Sequence, residues 1–128
     1  MEHKLKLLLV DDEPIVGKRL KSALEKCGYD VEVFETGQSA IQRLEEQEFD
    51  IVVSDVRMED ADGLEVLAAV KKSSSRTKTI LITGYATVEV AREALAKGAF
   101  DFLAKPFQPK DLRSLIEKAA KELTKASK

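Results

Sequence analysis

The chain has 128 residues, 44% hydrophobic and 34% charged, and its 21 basic and 23 acidic side chains leave a formal net charge of −2. That length suits one domain with a real core and no need of disulfides or structural metal. The near balance of charge argues against an electrostatically driven nucleic-acid binder, and the single cysteine, Cys27, cannot form an intrachain disulfide, which fits a reducing compartment.

No apolar run approaches membrane-spanning length, and Met1-Glu2-His3-Lys4 leads straight into a strand-like segment instead of a signal peptide. The expectation is a cytoplasmic protein without a membrane partner. Leu5 to Val10 reads as a buried strand that stops at Asp11-Asp12-Glu13. Pro14 follows, as suits the first turn of a helix. Val16, Leu20, Ala23, Leu24 and Cys27 recur at helical spacing up to Gly28, with Cys27 expected as a small buried hydrophobe. Val31 to Glu35 is a short strand, broken at Thr36-Gly37, and Ala40, Ile41 and Leu44 mark the inner face of a second helix.

The third strand is Ile51-Val52-Val53, a continuous β-branched run that delivers Asp55 to its end. Such a run is the pattern of a strand covered on both faces. An irregular stretch, Val56 to Asp62, precedes Gly63 and a third helix carrying Leu64, Leu67 and Val70, closed by Ser73-Ser74-Ser75. Thr79 to Ile82 predicts a fourth strand ending on Thr83-Gly84; Val88, Ala91, Ala94 and Leu95 line a fourth helix ending at Lys97-Gly98. Phe100 to Leu103 predicts a fifth strand, and Gln108-Pro109 starts a final helix with Leu112, Leu115, Ile116, Ala119 and Leu123 facing inward. Strand alternating with helix throughout predicts a doubly wound α/β fold around a parallel sheet.

Ligands of open parallel sheets bind outside the carboxyl ends of the strands. Those ends collect Asp11 and Asp12, Asp55, Thr83 and Lys105. Taken singly, the first two could be charges favouring the following helix, Asp55 and Thr83 turn residues, and Lys105 a surface lysine. Taken together they need a counter-ion, since two unit charges about 4 Å apart repel by roughly 4 kcal/mol at an effective dielectric near 20. Magnesium, or manganese, suits a few carboxylates and keeps positions for phosphate oxygens. A carboxylate nucleophile, a metal, a lysine and a hydroxyl are the parts for moving a phosphoryl group.

Through Leu9-Val10-Asp11-Asp12-Glu13, Val53-Ser54-Asp55, Asp62-Gly63-Leu64, Thr83-Gly84 and Lys105-Pro106-Phe107, the chain resembles the receiver domain of two-component response regulators over essentially its whole length. The resemblance implies a flavodoxin-like five-stranded sheet in the order 2-1-3-4-5 with a cis Lys105-Pro106 bond. It implies that Asp55 accepts a phosphoryl group from a sensor histidine kinase or phosphotransfer protein. Asp12 and Asp55 would ligate the metal directly, Asp11 largely through water, and the backbone carbonyl of Arg57 would complete the protein's share. Lys105 would pair with Asp55 and then with the phosphoryl oxygens, Thr83 would shift to hydrogen-bond them, and Phe102 would turn inward behind it. Such a domain is a regulatory phosphoacceptor that assists its own phosphorylation and dephosphorylation. The surface from Val88 to Leu123, spanning the fourth helix, fifth strand and fifth helix, would signal to an output domain or effector and serve for homodimerisation. Residues 98 to 107 look most like receivers attached to transcriptional activators. The expected domain is 1–128, either a stand-alone receiver or a piece of a longer regulator.

Two departures stand out: Glu59-Asp60 occupies the place where the family often has Pro-Gly, and Phe102 replaces a frequent tyrosine. An aspartate-nucleophile phosphohydrolase would use similar groups but resembles a D-x-D signature, where this chain has adjacent acids. A receiver-like scaffold would be expected to lack Asp12, Asp55, Thr83 or Lys105, and all four are present. The run Met58 to Gly63 hints at a calcium loop, but Met58 and Ala69 at its first and twelfth positions cannot ligate.

Overall fold

The computed structural model describes residues 4–56, 62–84 and 88–126. Its elements alternate strictly: β1 (Lys6–Val10), α1 (Pro14–Lys26), β2 (Asp30–Phe34), α2 (Gly37–Glu46), β3 (Ile51–Asp55), α3 (Gly63–Ser73), β4 (Lys78–Thr83), α4 (Val88–Ala96), β5 (Asp101–Ala104) and α5 (Pro109–Ala126). The strands form one parallel sheet in the order β2-β1-β3-β4-β5, the expected flavodoxin-like arrangement.

The sheet is buried on both faces because its central strands carry apolar side chains on both. Leu7, Leu9, Ile51, Val53, Ile80 and Ile82 pack under α1 and α5. From the opposite face, Leu8, Val10 and Val52 meet Ala40 and Leu44 of α2 and Val66 and Val70 of α3. Leu81 meets Leu67 and Ala94 of α3 and α4. Among the described residues no helix is long and apolar enough to cross a membrane.

Local signals set the element ends. Thr36 accepts a hydrogen bond from the Ser39 amide at 3.1 Å and Asp62 one from the Glu65 amide at 2.9 Å, each satisfying an amide at a helix start. Gly28 and Gly98 close α1 and α4 at φ of 97° and 102°, a region that disfavours any side chain.

Two expected core positions are corrected. Cys27 is exposed: the buried stripe of α1 runs Gly17, Leu20, Leu24, and the chain leaves the helix before the next turn completes. Tyr29, whose amide donates to the Leu24 carbonyl, packs against the core instead. Leu95 is 49% exposed because its neighbour Ala94 faces the sheet, and adjacent helix positions point about 100° apart. The side chains of Val88 and Ala91 lie outside the described residues.

Candidate functional site

Four strand ends open on the same side of the sheet. After β1, the Asp11 amide donates to the Phe34 carbonyl at 3.0 Å, and Asp11 Oδ1 accepts from the Glu13 amide at 2.8 Å. This fixes Asp11 as a buried carboxylate, while Asp12 beside it is exposed. On β3, Asp55 lies in register with Ile82 of β4, and the Val56 amide donates to the Ile82 carbonyl at 2.8 Å. Thr83 ends β4 one residue further on, and its carbonyl accepts from the Lys105 amide at 2.8 Å. The chain leaving β5 is thereby tied to β4, and the Lys105-Pro106 bond is cis.

These ties bring the charges together. Lys105 Nζ lies 2.9 Å from Asp55 Oδ1. One carboxylate oxygen each from Asp11, Asp12 and Asp55 can be chosen so that all lie within 4.8 Å of one another. Asp55 Oδ2 is buried and, among the described residues, has no hydrogen-bond partner. Burial pushes the Asp55 carboxyl up to about 6, the Lys105 hydrogen bond opposes that rise, and the charge of Asp11 adds to it. Burial pulls Lys105 down, but the hydrogen bond and charge of Asp55, with Asp11 and Glu13, outweigh it and leave the ammonium raised.

Three carboxylates facing one ammonium leave negative charge uncompensated, and a buried carboxylate oxygen without a donor is costly. An all-oxygen donor set of this kind fits a hard divalent cation and not a soft metal. The donor chemistry of the acidic cluster fits the expected ion.

Asp11, Asp12, Asp55 and Lys105 are brought into one crevice. Thr83 is buried at the neighbouring strand end. Phe102, in register with Leu81, is partly buried against the apolar cluster that Leu81 forms under α3 and α4. The Arg57 carbonyl and Glu59-Asp60 lie outside the described residues. Glu13 was not foreseen as part of the site, although its place directly after two acids at a strand end was a usable signal. A groove of about 500 Å³ also opens beside Lys105, lined by Val16, Leu20, Pro106 and Phe107. Ile15, 68% exposed, stands on the same helix as Val16 and Leu20.

The family model described as "Response regulator receiver domain" matches residues 7–117. Regulatory protein AtoC of Escherichia coli (strain K12) is 36% identical over 114 residues, which cover 89% of this chain and 25% of AtoC. Transcriptional regulatory protein FixJ of Bradyrhizobium diazoefficiens is 35% identical over 128 residues, covering 100% of this chain and 62% of FixJ. The chain thus spans about a quarter of one curated relative and under two thirds of the other. Among solved structures, a CheY-like response regulator receiver domain protein from Methanospirillum hungatei JF-1 superposes with a TM-score of 0.92 at 31% identity, covering 97% of this chain and 99% of that one. The beryllofluoride-activated NtrC4 receiver domain dimer gives a TM-score of 0.86 at 35% identity, covering 92% of this chain and 98% of that one.

Proposed function

The chain belongs to the response regulator receiver domain family, and on that premise we propose that it is a phosphorylation-controlled signalling switch whose acceptor is Asp55. The observation that carries this reading is the 2.9 Å contact of Lys105 with Asp55 Oδ1, beside an Oδ2 with no partner among the described residues. One oxygen is held by a cation and the other is left for reaction.

In the transfer, an Asp55 carboxylate oxygen forms a bond to phosphorus as the bond from phosphorus to the donor imidazole nitrogen breaks. The imidazole departs as a neutral ring once it holds a proton. Lys105 orients Asp55 beforehand and then faces the charge gathered on the phosphoryl oxygens. Asp11, Asp12, Asp55 and the Arg57 carbonyl would hold magnesium or manganese, which when bound neutralises the carboxylates and the incoming phosphoryl oxygens. Thr83 supplies a hydroxyl to the phosphoryl group, and Phe102 follows its movement.

The donor is a histidine kinase or phosphotransfer protein, for which the groove beside Lys105 offers an apolar docking surface. The output is transcription, carried by a further domain or an effector, as the name of transcriptional regulatory protein FixJ suggests for that protein. The α4-β5-α5 face carries the signal and supports homodimerisation, and exposed Leu95 gives it an apolar point of contact. Incubation with magnesium and acetyl phosphate is expected to give one base-labile acyl phosphate by intact mass, abolished by Asp55→Asn. Equal labelling of that variant would contradict the assignment.

A further inference from the structure

The first residue of α3 lies closer to the acceptor strand than a residue with a side chain could. A Cβ placed on Gly63 would stand 2.5 Å from the carbonyl oxygen of Asp55, 2.8 Å from Cα of Val56 and 3.1 Å from the carbonyl carbon of Asp55. All three are backbone atoms, so nothing flexible can turn aside. Gly63 is not in the left-handed region, unlike Gly28 and Gly98. Its requirement is for space.

The same residue also binds this strand end. Its amide donates to the Val56 carbonyl at 2.7 Å, joining the start of α3 to the end of β3. Ser54 Oγ donates to the Asp55 carbonyl at 2.9 Å. The Asp55 peptide is therefore held by a hydroxyl and abutted by Gly63, while the Val56 amide fixes the next residue to Ile82. A strand end so held cannot yield to a new methyl group without carrying its side chain along.

We propose that Gly63 is a positioning residue: the bare Cα at the start of α3 sets where the Asp55 carboxylate stands relative to Asp11, Asp12 and Lys105. This rests on the reading of Asp55 as the acceptor. Loss of groups that support a metal's ligands lowers affinity by about 10–100-fold, and a misplacement of about 1 Å lowers rates by about 100-fold.

The test compares wild type, Gly63→Ala and Gly17→Ala. Gly17 is a buried glycine whose Cβ would meet Val33 Cγ1 of β2 at 2.9 Å, a crowding remote from the acceptor strand. Both variants should melt earlier. Only Gly63→Ala should lose about tenfold or more in magnesium affinity and in acetyl phosphate labelling rate. Only it should move the Asp55 and Val56 amide resonances in metal-free protein, a change that Gly17→Ala would not cause. Gly63→Ala binding magnesium like wild type, or Gly17→Ala losing as much, would overturn the proposal. If Gly63→Ala fails to fold, the wild-type magnesium titration decides: the Gly63 amide must be among those that shift most, and an unmoved Gly63 overturns it. Wild type that neither binds magnesium nor labels would refute the acceptor reading itself, independently of the metal-free resonances.

Discussion

Burial pushes the Asp55 carboxyl up to about 6 while the hydrogen bond from Lys105 pulls the other way. A carboxyl raised in the fold favours folding in its protonated form. That contribution is fully present below the ordinary aspartate value of about 4 and is lost as pH rises through about 6. In a metal chelator, wild type should therefore lose stability relative to Asp55→Asn between about pH 4 and pH 7, by on the order of 2 kcal/mol. Thermal or urea unfolding of the pair across that range checks the slope, and a difference that does not vary with pH would contradict it. Removing the opposing cation should act in the same direction. Lys105→Met is expected to raise the Asp55 carboxyl above about 6, read from its carboxyl carbon shift against pH.

At the scale of elements, the start of α3 is held by Asp62, whose Oδ1 accepts from the Glu65 amide at 2.9 Å. Asp62→Ala should cost about 1 kcal/mol in unfolding free energy, and Asp62→Asn, which keeps the acceptor, much less. Urea denaturation separates the two. The elements themselves were legible because each strand is an apolar run and each helix a periodic stripe, patterns that depend only on near neighbours in the chain. The meeting of Asp55 and Lys105 was legible because a parallel sheet sends all its carboxyl strand ends to one side. Cys27 and Leu95 were misplaced where an element ends or rotates, since a helical stripe does not say at which turn the chain departs. The closeness of Gly63 to the Asp55 carbonyl was not legible at all. The Asp62-Gly63 pair could be noticed as a motif, but a 2.5 Å approach is a property of two packed elements.

For the whole molecule, one crevice built from four strand ends gathers Asp11, Asp12, Asp55 and Lys105, so on the proposed reading metal occupancy should be felt as global stability. Magnesium at ten times its Kd should add about 1.4 kcal/mol to unfolding, and most of that gain should vanish in Asp55→Asn; an equal gain in the variant would place the ion elsewhere. Phosphorylation should alter amide hydrogen exchange over Val88 to Leu123 and leave the interior of β1 and β3, away from their carboxyl ends, unchanged, as a switch requires two states that differ at a readable surface. The most direct test of the central claim is chemical tagging of the acceptor. After treatment with magnesium and acetyl phosphate, borohydride reduction and peptide mass mapping should convert Asp55 alone to homoserine. A tag on Asp11 or Asp12, or none on Asp55 in phosphorylated protein, would contradict the account.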